Sequence, residues 1–365
     1  AWSPDGKWMY FSSNAGGAYH LWRQRFPTGR VEQVTSGTTE EEGIAMAPDG
    51  RSLATAVGTR RVVIAIHDSS GERPIISDGW PALTDSRNGS PFSSDGKKLY
   101  FLQLPRGSND VGAAMMSAYV AGELTDIDLE TGQSEPVFPG FSISSFALSP
   151  IDNRIAFVGS QNKGKFNLWM ADLEHRSSPQ PLPSKGLVGR YRFAGGAIYY
   201  VSREGDHKFV RRLRLDGSGD EVIWPNDFWA AAISPSGRYL ALTNRAPEAQ
   251  AGPRITTQIV DTRTGKTFPM CDECIGWWSE SGDWFAIANE TGSGEETATY
   301  LVPTRSGTEL PNLPAERLRQ AADASHLPGT VVIRDPGVIA LGRKPGQYAI
   351  QRESVHRNLY RIPLK

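Results

Sequence analysis

The chain opens on a pattern that returns along its length: a Ser-Pro-Asp-Gly type turn, a strand of alternating polar and apolar positions, another strand, a second turn and a closing strand. "SPDGKWMYFSS" at residue 3 comes back as "APDGRSLATAV" at 47, "SSDGKKLYFLQ" at 93, "SPIDNRIAFVG" at 149, "SPSGRYLALTN" at 234 and "SESGDWFAIAN" at 279. Two degraded copies, "AGGAIYYVS" at 194 and "RKPGQYAIQRE" at 343, bring the units to eight. Period-two alternation bounded by Pro, Asp and Gly predicts antiparallel strands joined by tight turns. Clear copies lie 44, 46, 56, 85 and 45 residues apart, the 85 spanning a degraded copy. A period of about 40 to 45 residues is that of one four-stranded propeller blade.

The expectation is an all-β fold, a single β-propeller of four-stranded antiparallel blades over residues 1–365, with eight blades favoured and seven as the fallback. Trp22 and Trp169, on third strands, are expected to pack between sheets. The segment 104–122 lengthens the second-to-third-strand loop of the third unit, and 314–327, "PAERLRQAADASHL", has a helical pattern. The first residues read as the end of an inner strand and the last strand is "NLYRIPLK". A fragment of a longer protein is therefore expected, with ring closure depending on how the end blades share strands.

A formal net charge of -1 gives no electrostatic case for a nucleic-acid or membrane partner. No apolar run reaches the roughly 20 residues of a membrane span, so the expectation is a bacterial chain, soluble as given, in the cytoplasm or periplasm. The two cysteines, Cys271 and Cys274, cannot supply a disulfide framework. They make half a zinc site at most, and the expectation is two partly buried loop cysteines.

The S-P-D-G-K/R turn, "LW" on the third strand and a D-x-x-x-G turn into the fourth resemble the TolB-like class of WD-type propellers, over essentially the whole chain. The arrangement also resembles propeller regions attached, in some bacterial proteins, to serine/threonine kinase or winged-helix regulatory domains. That resemblance implies a sensor propeller that binds a ligand or protein. No kinase loop motif or DNA-reading helix accompanies it in this sequence.

In a propeller, loops from the fourth strand to the next first strand share one face with the second-to-third-strand loops, which makes that face the default site. The former place Glu42, Asn88, Asp227, Glu273 and Asp335 near the starts of inner strands. Such oxygen donors, converging from separate blades, suit calcium. His20, His207 and His356 fall in or beside second-to-third-strand loops, and His326 in a fourth-to-first connection. Imidazoles joining the carboxylates would favour zinc, able to polarise a carbonyl or phosphoryl oxygen. Met115, Met116 and Tyr119 stand at the tip of the long loop as an apolar lid. Nucleophilic catalysis has no G-x-S-x-G support. The leading expectation is a propeller binding a small molecule, protein or peptide. The alternative is a metal-dependent hydrolase of esters, lactones or phosphotriesters, similar in plan to six-bladed lactonases. A passive scaffold would instead show an exposed aromatic patch.

Overall fold

The computed structural model of the chain describes residues 1–15, 18–84, 86–105, 121–162, 164–174, 178–245, 255–289, 298–334, 338–344 and 346–364. The third to seventh repeats each form a four-stranded antiparallel sheet in sequence order. The fourth, for example, runs Phe141–Leu148, Arg154–Gln161, Asn167–Asp172 and Gln180–Pro181.

The turn chemistry explains why the repeat folds locally as it does. Ser3 Oγ donates to Asp5 Oδ1 at 2.6 Å and accepts from the Trp8 amide at 2.9 Å, while Gly6 takes φ +68°. The same contacts recur at Ser93, Asp95 and Lys98. At the later copies Ser234 and Ser279 accept from the amides of Tyr239 and Trp284. Each turn closes on its own side chains, so its geometry is set locally. Trp169 stands edge-on to Phe141 of its own sheet, 5.1 Å between centroids, and its indole donates to the Gly159 carbonyl, while the Trp22 indole donates to the Ser13 carbonyl.

Eight repeats do not give eight separate blades. The described residues form seven sheets, because the second and last repeats run together through two long strands, Ser52–Asp68 and Tyr348–Pro363, paired antiparallel from Ser52↔Pro363 to His67↔Tyr348. Val338–Leu341 flanks one end of this ribbon, opposite Gly71–Ile76 across it. Glu40–Met46 flanks the other end. The inner half is thus a four-stranded blade built from both ends of the chain.

Packing shows how the sheets are arranged. Ile64, Ile66, Ala340 and Ala349 of the hybrid blade share a core with Phe92, Leu99 and Phe101 of the third repeat. On its other face Ala65, Ile339 and Ile350 join Trp277, Phe285 and Ile287 of the seventh. Continuous apolar contacts link the third repeat through to the seventh, so six blades close into a ring. A separate small core, around Tyr10, Leu21, Leu53, Met46 and Ile362, holds together an outer lobe. That lobe comprises Trp8–Ser13, His20–Arg25 and Val31–Gln33 packed on Glu40–Met46 and the outer half of the ribbon.

Two smaller expectations change. The helical stretch is a 3-10 helix confined to Ala321–His326, its buried Ala321 and Ala324 packing on the seventh sheet. The cysteines are joined: Cys271 and Cys274 form a disulfide, fully buried, where the sixth sheet hands over to the seventh. In sequence only their spacing was visible. In the fold the strands Thr267–Asp272 and Cys274–Trp278 meet there, bringing the two Cα atoms to 6.0 Å.

Candidate functional site: the axis of the ring

The third blade has an inner strand of only two residues, Pro81–Ala82. Pro81 pairs with Gln103 and Ala82 with Leu102, and pairing resumes only where the Tyr100 amide donates to the Pro91 carbonyl and Phe92 bridges to Leu99. The residues between leave the sheet and enter the axis. Their 3-10 turn, Ser86–Asn88, touches the inner strands of four other blades: Leu187–Ala194, Ala230–Ile233, Cys274–Trp278 and Val338–Leu341. The Leu83 amide donates to Gln351 Oε1 at 2.8 Å, the Tyr191 amide to Asn88 Oδ1 at 3.4 Å, and the Ser90 amide to Glu280 Oε2 at 2.9 Å. Gly89, at φ +119°, passes so close that a Cβ would lie 2.8 Å from Glu280 Oε2. The φ is what calls for glycine there, since the Glu280 carboxylate is the far end of a side chain that can shift.

Two arginines lock the end of the axis where first strands turn into second strands. Arg192, fully buried, donates to the carbonyls of Ile233 (3.1 Å), Trp278 (3.3 Å) and Ser279 (3.0 Å), and stands 3.4 Å from Glu280 Oε2. Arg343 donates to the carbonyls of Phe92 (3.1 Å), Pro150 (3.0 Å) and Ser149 (3.0 Å). Each guanidinium therefore satisfies the last carbonyls of inner strands from two neighbouring blades, a fit to its planar fork of donors. Burial lowers the pKa of Arg343, with Glu280 partly offsetting this and Arg192 adding to it.

Sequence reasoning missed all three residues, although a signal was present. Aligned on the turn, Glu280 stands where Pro4, Pro48, Pro150 and Pro235 stand in other copies, and Arg343 where the serine stands. Of the three, Glu280 and Arg343 thus stand out in sequence as charged departures from the repeat, whereas Arg192 precedes the turn of its copy.

The four described members of the expected metal-donor set stand apart from one another. Glu42 lies in the outer lobe, its Oε2 2.6 Å from Arg357. Asn88 is buried in the axial turn, and Asp227 is exposed on the rim. Glu273 sits between the sixth and seventh sheets at φ +52°, its amide donating to the Ile255 carbonyl. Asp335, with Met115, Met116 and Tyr119, lies outside the described residues. No group of three or more His, Cys, Asp and Glu placed to hold a metal occurs among the described residues. Among the described residues of the axis, the buried carboxylate of Glu280 already faces Arg192.

The histidines also separate. His20 is buried in the outer lobe, its Nδ1 2.8 Å from Glu41 Oε2, an atom that also accepts from Thr35 Oγ1 at 2.7 Å. His356 lies within a strand, opposite Thr59, rather than in a loop, because the ribbon runs straight through the expected corner. His326 ends the 3-10 helix in a third-to-fourth-strand connection, not a fourth-to-first one. Two of the named residues do meet. His207 Nδ1 and Asp227 Oδ2 meet at 3.1 Å on the rim, both exposed, and Lys208 donates from its amide to Asp227 and from Nζ to the Trp229 carbonyl. The His207 hydrogen bond, then the Lys208 amide, lowers the Asp227 pKa.

No protein-family model matches the chain. A Tol-Pal system protein TolB from Francisella tularensis is 22% identical over 208 residues, covering 48% of this chain and 48% of that protein. The chain spans about half the length of the curated relatives it matches. A gluconolactonase from Zymomonas mobilis is 20% identical over 208 residues, covering 52% of this chain and 55% of the relative. Among solved structures, a protein described as TolB from Agrobacterium tumefaciens superposes with a TM-score of 0.52 at 14% identity, over 81% of this chain and 99% of that one. The fold is a TolB-like β-propeller.

Proposed function

We propose that the chain is a binding propeller that recognises a protein or peptide with its surface, as a sensor or docking segment of a larger bacterial regulatory or envelope protein. The observation that carries this reading is the self-filled axis. Residues 83–84 and 86–91 occupy the place where propellers that act on small molecules surround a ligand, and Arg192, Glu280 and Arg343 spend their polar groups on holding blades together. The rim carrying His207, Asp227, Lys208 and Trp229 offers exposed charge beside aromatic surface, a combination suited to a polypeptide partner. The TolB relatives are Tol-Pal system proteins by name, so protein components of such a system are the first partners to test.

The experiment is a calorimetric titration of the chain with Pal, alongside elemental analysis and a panel of lactone, aryl ester and phosphotriester substrates with and without EDTA. Saturable binding of the protein, weakened by Lys208→Glu, is the expected result. Stoichiometric metal with chelator-sensitive turnover would overturn the reading in favour of the metal-dependent hydrolase.

A further inference from the structure

The outer lobe contains a sheet that stops one strand short. In the ring every blade has four strands, but Glu40–Met46, residues 52–58 and residues 353–363 make only three, and along the far edge of 353–363 no strand lies among the described residues. The direction of the backbone groups on that edge follows from its two ends. The Gln347 carbonyl points away from the first long strand, accepting from the Gly342 amide, whereas the Leu364 amide points toward it, donating to the Arg51 carbonyl. Alternation then turns the N–H and C=O groups of Glu353, Val355, Arg357, Leu359 and Arg361 outward. Long edges are normally blunted by Lys, Pro or a bulge. Residues 353–361 contain neither Lys nor Pro, Pro363 standing two residues further along the same strand, and their pairing with the first long strand has no register shift.

Large apolar side chains along this edge are exposed, on both faces of the sheet. Leu359 is 81% exposed, Tyr360 52% and Val355 42%. With Trp2, Phe26 and Val31, they give the outer lobe most of the molecule's exposed large apolar groups among the described residues. The edge is also complementary to itself. An antiparallel pairing about a two-fold axis at Arg357 sets Val355 opposite Leu359 of the second copy and Glu353 opposite Arg361, twice over. The Arg357 pair at the centre is already neutralised within each chain, by Glu42 at 2.6 Å and Glu40 at 3.6 Å.

We infer that a second copy of this chain adds to the free edge at 353–361, joining two outer lobes into one continuous six-stranded sheet by strand addition. This surface is separate from the rim proposed for the protein partner, so either assignment can fail without the other.

Sedimentation equilibrium tests it. The wild-type chain is expected to be a reversible dimer. Leu359→Pro should make it monomeric, because residue 359 turns its N–H to the free edge and proline there removes an edge donor without breaking a bond to the first long strand. Should that variant misfold, charge reversal reads the same contact. Glu353→Arg and Arg361→Glu should each weaken the dimer about tenfold, from two like-charge pairs per interface, and the double reversal should restore it. Glu353 also pairs with Arg60 within the chain at 2.9 Å, so thermal unfolding is followed in parallel to read that loss separately. A wild type that stays monomeric at high micromolar concentration overturns the inference, as does a dimer unaffected by either reversal or a double reversal that fails to restore association.

Discussion

Replacing Arg192 with methionine removes a guanidinium that is 1% exposed, together with three hydrogen bonds to carbonyls of two other blades. It also takes from Glu280, 4% exposed, the cation that stands against it at 3.4 Å, leaving Arg343 as the other positive group that acts on it. Breaking one side of a buried ion pair costs about 3 to 5 kcal/mol, mostly because the surviving charge has lost its partner. The stranded carbonyls add to this only in part, since methionine fills similar volume and hydrogen-bond losses are not additive. We expect about 4 kcal/mol for Arg192→Met, measured by urea unfolding. Arg192→Met with Glu280→Gln should recover roughly half of it, because glutamine removes the stranded charge and can still accept from the Ser90 amide. A single-variant loss under about 1 kcal/mol, or strictly additive effects, would refute the idea that this pair clamps the blades.

Other consequences are as direct. Burial, reinforced by Asp220, pushes the Tyr200 phenol from its ordinary 10.0 up to about 12. The fold therefore favours the neutral phenol, so this contribution is complete below pH 10 and lost as pH rises toward 12; Tyr200→Phe should flatten part of that alkaline loss in unfolding curves. Removing the Cys271–Cys274 disulfide by double alanine substitution should cost at least about 2 kcal/mol, the chain-entropy value for so short a loop, and wild-type stability without it would contradict a structural role. Gly6 and Gly237 share a left-handed φ, but a Cβ meets nothing at Gly6 and lies 2.5 Å from the Tyr199 ring at Gly237. Thermal unfolding should show Gly6→Ala costing about 1 kcal/mol and Gly237→Ala at least twice that.

The fold class was legible because its signals are local. Ser3, Asp5 and Gly6 close their turn with their own hydrogen bonds, so each copy announces a blade wherever it stands. Ring closure was not legible, for the opposite reason. At the expected corners the chain reads "AVGTRRVV" and "RESVHRN", which lack Pro, Asn-Gly or Asp-Gly, and strand alternation continues through both into a pairing some 300 residues apart in sequence. That weakness of turn chemistry was itself a clue to two long strands.

The site was less legible still. "LTDSRNGSP" reads as an ordinary connecting loop, and only the meeting of inner strands from other blades turns it into an axial plug. Carboxylates such as Glu42 and Asp227 looked equivalent in sequence. Their partners, Arg357 in the lobe and His207 on the rim, come from distant or separately folded segments and divide them between different surfaces.

The filled axis is open to a direct measurement: hydrogen exchange of the amides in residues 83–91, resolved by mass spectrometry or NMR. The account predicts that Leu83 and Ser90, bonded to buried Gln351 and Glu280, exchange as slowly as the inner strands around them, and that Arg192→Met accelerates Ser90 selectively. Exchange at the rate of an exposed loop would mean that the axis is open, and the binding reading would lose the observation on which it stands.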